Sequence, residues 1–193
     1  MSQSAIFAVV LAAGASTRFG RTKQLEEYEG QSLAAGAVRK AESVCGERSV
    51  LVTGKDWQEV AASCEPLAGY FVINDSYEQG LSSSISCGVR SVAESADAIL
   101  LMLCDLPLVT VEHLEKLVTA WTEAPYSIVA SEFEDTLGPP IVFPKGDFET
   151  LMQLSGDRGA RPIIDANGDR VLAIACEEAA FDIDRPEDLA GIY

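Results

Sequence analysis

Four stretches of the chain carry residues suited to a phosphorylated ligand, and each follows an apolar run. The first is Leu11-Ala12-Ala13-Gly14-Ala15-Ser16-Thr17-Arg18-Phe19-Gly20-Arg21-Thr22-Lys23-Gln24. Small residues let backbone N–H groups approach and cradle phosphate oxygens. Arg18, Arg21 and Lys23 gather positive charge beside them. The stretch is neither a Walker A loop nor G-x-G-x-x-G, since Arg21-Thr22 follows Gly20. Taken alone, it also describes a plain strand-to-helix turn with solvated cations.

The second stretch is Cys104-Asp105-Leu106-Pro107. An aspartate at the end of a deeply apolar run is either an oxygen ligand for Mg²⁺ or a loop anchor. The third, Asp182-Ile183-Asp184-Arg185-Pro186, places two carboxylates at i and i+2. In an extended segment they face one side, where one of them can join Asp105 on a metal; otherwise they are surface acids. The fourth runs from Asn74 to Gly80-Leu81-Ser82-Ser83-Ser84. A glycine turn into a serine-rich helix start offers donors to a nucleobase or ribose, or simply caps the helix.

These stretches need a scaffold that brings them together. Ala5–Ala12 and Ser49–Thr53 read as buried strands, the first on both faces; Tyr70–Ile73, Ala98–Leu103 and Tyr126–Ala130 read as further strands, with Pro140–Phe143 as a possible sixth. Arg170–Ala175 and Phe181–Ile183 read as extended. Helical spacing appears over Ser32–Cys45, from an Asp56 cap to Cys64, over Ser82–Val92, and after a Thr110 cap. Phe148–Leu154, Gly159–Ala166 and Pro186–Ala190 complete the helices. Alternating strands and helices imply an open, mostly parallel sheet covered on both faces. The stretch 131–146 interrupts the alternation and predicts an antiparallel piece. In such sheets ligands bind outside the carboxyl ends of the strands, where all four stretches fall. One domain spanning residues 1–193 is expected.

Composition narrows the ligand. The 193 residues carry a net charge of −16, which disfavours nucleic acid and anionic membranes as partners. No apolar segment reaches the roughly 20 residues that span a bilayer. Residues 1–13 lack the basic start of a signal peptide. Cys45, Cys64, Cys87, Cys104 and Cys176 are scattered and odd in number, with no C-x-x-C pair. Structural zinc is disfavoured, and a reducing, cytoplasmic setting is expected. The lone His113 reads as an ordinary helix residue.

Taken in order, the motifs resemble the molybdenum cofactor cytidylyltransferase and MobA-like nucleotidyltransferase family. The resemblance rests on Leu11-Ala12-Ala13-Gly14-x-Ser16-x-Arg18-x-Gly20-x-x-Lys23-Gln24-Leu25, on Asn74 with Gly80-Leu81-Ser82-Ser83-Ser84-Ile85, and on Cys104-Asp105-Leu106-Pro107. It continues through Gly138-Pro139-Pro140, Gly156-Asp157-x-Gly159-Ala160-Arg161 and Asp182-Ile183-Asp184-x-Pro186-Glu187-Asp188. It implies a three-layer α/β/α Rossmann-like nucleotidyltransferase fold with a mostly parallel mixed sheet. The implied nucleotide site comprises Leu11, Ala12, Ala13, Gly14, Arg18, Lys23, Asn74, Gly80 and Ser83. Lys23, Arg18 and Asp105 are the implied catalytic residues. Asp105 and Asp184 are the implied Mg²⁺ ligands, and Gly138, Pro139 and Pro140 would border the acceptor. Leu106 and Arg185 depart from the pattern, which commonly has glutamine and threonine there.

The implied reaction moves CMP, or another NMP, from a nucleoside triphosphate to a phosphorylated acceptor with loss of pyrophosphate. CTP is the favoured nucleotide, and the cytidylyltransferase-like segments suggest molybdopterin as acceptor and a molybdoenzyme as downstream partner. Two rival readings stand beside it. One is transfer to a sugar phosphate or another small phosphorylated metabolite. The other is a non-catalytic protein that binds a nucleotide or cofactor.

Overall fold

The computed structural model describes residues 4–17 and 19–190. Strand β1 (Ile6–Ala12) comes first, followed after a long loop by the short hairpin β2 (Glu27–Tyr28) and β3 (Gln31–Ser32). Helix α1 (Leu33–Cys45), β4 (Ser49–Thr53), α2 (Trp57–Ser63) and β5 (Tyr70–Ile73) follow. Next come α3 (Leu81–Val92), β6 (Ala98–Leu103), α4 (Val111–Glu123) and the antiparallel pair β7 (Ile128–Phe133) and β8 (Thr136–Pro144). Helices α5 (Phe148–Met152) and α6 (Arg161–Ala166), strand β9 (Val171–Ala175) and α7 (Pro186–Ala190) end the order.

Seven strands form one sheet in the order β5-β4-β1-β6-β8-β7-β9. Strands β5, β4, β1 and β6 run parallel, β8 runs antiparallel to β6 and β7, and β9 is parallel to β7. This is the three-layer, Rossmann-like arrangement expected of the fold. The two-residue side-chain period of a strand explains the layers. In β1, Ala8, Val10 and Ala12 join the core under α1 and α4, while Val9 and Leu11 join the core under α3, α5 and α6. Strand β6 divides likewise, Leu100 and Met102 on one side and Ile99 and Leu101 on the other.

The chain leaves β1 toward β4 and β5, then returns to place β6 on the other side of β1. That reversal opens a crevice between the loops after β1 and β6. Register holds the two loops level, because Leu11 pairs with Leu103 and Cys104 N–H donates to Leu11 O at 3.2 Å.

Several expectations shift. Phe181–Ile183 is no strand; its link to the sheet region is Ile183 N–H donating to Asp105 O at 2.9 Å. Asp56 precedes α2 but sits at φ +52° without capping it, because its carboxylate accepts from Thr22 Oγ1 instead. Ser32 and Thr110 do cap, accepting from Ala35 N at 3.1 Å and His113 N at 3.2 Å. Strand β7 begins at Ile128 rather than Tyr126, which is 85% exposed, and β8 is longer than Pro140–Phe143 because its register with β7 reaches the hairpin end.

Helix α3 lies close on β1 and β4 at Gly88. A Cβ there would fall 2.4 Å from Val9 Cγ1 and 2.9 Å from Val52 Cγ2, both in fully buried side chains. Gly88→Ala is expected to lower unfolding free energy by about 1–3 kcal/mol through overpacking. Urea denaturation followed by circular dichroism measures it, and an unchanged midpoint would contradict the close approach.

Candidate active site

The loop after β1 is organised by its own side chains. Ser16, at φ +52°, accepts at its carbonyl from the N–H groups of Phe19 and Gly20, both at 3.1 Å. Ser16 Oγ accepts from Lys23 N at 3.1 Å and donates to Gln24 Oε1 at 3.1 Å. Gln24, only 2% exposed, returns its Nε2 to Gly14 O at 2.8 Å. A buried amide thus closes the loop, satisfying polar groups that burial would otherwise penalise. The sequence shows Gln24 as part of the motif that ends the loop, with no periodic signal for this role.

The loop delivers Lys23 to two acids. Its ammonium lies 2.7 Å from Asp105 Oδ2 and 3.4 Å from Asp184 Oδ1. Burial lowers the Lys23 pKa, but the Asp105 charge and hydrogen bond, aided by Cys104 and Asp184, raise it overall. The raised value keeps the ammonium charged through neutral pH; its stabilisation is lost only as pH climbs through that folded value. Asp182 stands nearby, its carboxyl pushed up by burial and by the charges of Asp184 and Asp105. Asp184 is held by backbone: its N–H and that of Arg185 both donate to Asp188 Oδ2, at 2.8 and 2.7 Å.

A small apolar cluster joins the two ends of the chain behind these groups. Phe19, Leu33 and Ile183 are buried together, with Tyr28, Phe181 and Leu189 packed against them. Ile183 turns inward, fully buried, between the two outward aspartates.

The crevice so formed has a volume of about 380 Å³. Leu11, Ala13, Gly14, Lys23, Gly80, Asp105 and Asp184 all line it, so the expected nucleotide and metal residues largely converge. Ala12 is buried in the core and faces α1. Arg18 lies outside the described residues. Asn74 and Ser83 stand instead in an adjoining cavity of about 410 Å³, beyond the Gly80 turn. Asn74 Nδ2 donates to Ser83 Oγ at 2.9 Å and Ser84 Oγ at 3.0 Å, and its Oδ1 accepts from Ser76 N at 3.0 Å. It ties the turn together from behind, while Ser84 lines the main crevice.

Gly138, Pro139 and Pro140 lie in β8, and Pro140 borders a small cavity with Leu106, Met102, Ala37 and Lys40. Leu106 is buried apolar packing rather than an open contact. His113, expected as an ordinary helix residue, is buried: its Nε2 faces Ser131 Oγ at 2.8 Å, and Ser131 donates to Pro140 O at 2.8 Å. Burial lowers its pKa, so the imidazole is a neutral partner in this support.

Among the described residues, no group of three or more His, Cys, Asp or Glu is placed to hold a metal. Two carboxylates remain, and Asp105 Oδ1 is buried without a hydrogen-bond partner. That fits a hard cation such as Mg²⁺, which takes one or two protein carboxylates and fills its shell with water and phosphate oxygens. The lysine ammonium meanwhile neutralises the same acids.

Residues 8–171 match the MobA-like NTP transferase domain, and the chain belongs to that family of nucleotidyltransferases. It is 30% identical to the purine catabolism protein PucB of Bacillus subtilis, over 95% of this chain and 93% of that protein. It is 25% identical to the molybdenum cofactor cytidylyltransferase of Escherichia coli, over 96% and 94% of the two chains. The crystal structure of Rv0371c from Mycobacterium tuberculosis matches at a TM-score of 0.86 and 26% identity, covering 100% of this chain and 98% of that one. A manganese complex of that same protein matches at 0.81 and 25%, covering 98% of both chains.

Lys23→Met removes the cation and leaves the acids of this cluster to repel one another. Unfolding free energy is expected to fall by about 1–3 kcal/mol at pH 7–8. The deficit should shrink toward pH 4, because protonation relieves the repulsion in the folded state. Urea denaturation across that pH range is the measurement; a deficit independent of pH would mean that lost packing, not charge, causes it.

Proposed function

We propose that the protein is a cytoplasmic, Mg²⁺-dependent nucleotidyltransferase that transfers CMP from CTP to the phosphate of molybdopterin, releasing pyrophosphate. The finished cofactor would pass to a molybdoenzyme. One observation carries the chemistry: Lys23 is held between Asp105 and Asp184 at the mouth of the β1 loop, with Asp105 Oδ1 left unpartnered. The full-length similarity to a molybdenum cofactor cytidylyltransferase supports the choice of acceptor. The relation to a purine catabolism protein is compatible with a receiving enzyme in purine breakdown.

In this reading the backbone of Leu11–Gly14 lies along the nucleotide, and Lys23 with Arg18 meets the triphosphate. An oxygen of the acceptor phosphate attacks the α-phosphorus in line, the bond from that phosphorus to the bridging oxygen breaks, and pyrophosphate leaves. The attacking group is already anionic, so no general base is needed; alignment and charge neutralisation supply the rate. Asp105 and Asp184 would hold the Mg²⁺, which when bound neutralises charge on the α-phosphate and the leaving group. Among the described residues Lys23 is the one ammonium in the crevice lining, and it donates to the same oxygens as charge develops on them. Gly138, Pro139 and Pro140 border the acceptor, with Ser131 and His113 bracing Pro140 from behind.

The test is pyrophosphate release from CTP, GTP, ATP and UTP in Mg²⁺, with molybdopterin, sugar phosphates and no acceptor in parallel. Release from CTP with molybdopterin is expected. Release with a sugar phosphate alone would replace the acceptor, and binding without release would leave an accessory protein. Asp105→Ala should lower turnover by about 10²-fold or more while its circular dichroism spectrum stays that of the folded protein. Near-normal turnover of that variant at saturating Mg²⁺ would remove the metal assignment.

Arg21 offers an internal control. Its guanidinium is exposed and already bonded to Glu26, at 2.6 Å from Oε2. Lys23→Ala is expected to cost on the order of 10²–10³ in turnover, and Arg21→Ala no more than about threefold. Equal, small losses in a steady-state assay would put the triphosphate elsewhere.

A further inference from the structure

The crevice that holds Lys23 also carries a carboxylate that the chemistry above leaves unused. Asp157 lies in the turn between α5 and α6 and lines the crevice with Gly80, Leu81 and Ser84. Its oxygen sits over the Gly80 backbone. A Cβ built on Gly80 would fall 1.9 Å from Asp157 Oδ1 and 2.9 Å from Gly156 O. Gly80 has φ +97°, a conformation that also favours glycine. Any larger residue at position 80 would therefore evict the carboxylate.

The turn is anchored at that height, because Ser82 N–H donates to Gly156 O at 3.2 Å. The arginines beside Asp157 look away from it: Arg158 and Arg161 turn toward Asp165, at 3.8 and 3.5 Å. Among the described residues Asp157 has no ion pair, so its charge is presented to the crevice and solvent.

An ionised carboxylate only accepts hydrogen bonds. It repels a triphosphate, which the proposed chemistry sets beside Lys23. What lies against Gly80 is then the nucleoside, and an acceptor there demands a donor. Cytosine offers its N4 amine, the partner that Asp and Glu accept from in base recognition, whereas uracil offers the carbonyl O4 at the same position. We infer that Asp157 is a specificity-determining residue: it accepts a hydrogen bond from the exocyclic amine of the base and so selects CTP over UTP. The inference rests on the crevice being the nucleotide site.

Calorimetric titration of the full chain with CTP, UTP and 2′-deoxy-CTP in Mg²⁺, without acceptor, tests it. Wild type is expected to bind CTP about tenfold or more tightly than UTP. Asp157→Ala should bring the two within about threefold by weakening CTP alone, since each good base contact contributes a factor of this size. Asp157→Asn should likewise bring the two close together, because its amide can turn to accept from N4 or to donate to O4. Thermal melts of both variants, expected near wild type for this exposed position, separate lost binding from lost fold. An unchanged CTP preference in Asp157→Ala would overturn the inference while leaving the nucleotide site standing. So would equal losses for CTP and UTP with 2′-deoxy-CTP unaffected, which would mark a ribose contact instead. No binding of any nucleotide to wild type would overturn the nucleotide site itself, and this inference with it.

Discussion

The structure turns on one electrostatic problem: carboxylates from distant parts of the chain are brought together in a protein of net charge −16. Lys23 resolves it by standing between Asp105 and Asp184. A half-buried ammonium loses hydration, and the opposed charges return more than that loss, which is why its pKa rises despite burial.

Everything needed to hold Lys23 there is local to three loops. Ser16 and Gln24 close the β1 loop on itself through backbone and amide bonds. Asp188 fixes the backbone of Asp184 by accepting two N–H groups. Phe19, Leu33 and Ile183 seal the junction with apolar contact. Polar bonds set direction and the apolar cluster sets distance, a division suited to a site that must bind and release charged groups.

The two walls of the crevice differ in character. The Lys23 wall is built to manage charge. Around Gly80 the crevice presents a glycine turn, Ser84 and Asp157. Behind them lie structural supports drawn from polar residues: Asn74 gathers Ser76, Ser83 and Ser84 into one turn, and His113 with Ser131 braces Pro140. Polar groups buried this deep are tolerated because their partners are present.

Much of this was legible in the residues. The continuous apolar runs of β1, β4 and β6 and their alternation with helical spacing determined a parallel α/β sheet, because both faces of such strands must be buried; β5, at the sheet edge, stays half exposed. The motifs around Lys23 and Asp105 marked the crevice, because they follow β1 and β6, parallel strands that end on one side of the sheet; Asp184 follows no strand and joins them through the loop before α7. Tertiary structure decided the rest. It placed Asn74 and Ser83 behind the Gly80 turn, gave the Asp56 carboxylate to Thr22, buried His113, and left Phe181–Ile183 without a ladder. It also brought Asp157 over Gly80 across 77 positions of chain. Periodicity and motif spacing report which face a residue shows and which neighbours it has along the chain. They carry no record of which side-chain oxygen, arriving from another loop, will occupy the space a glycine leaves open.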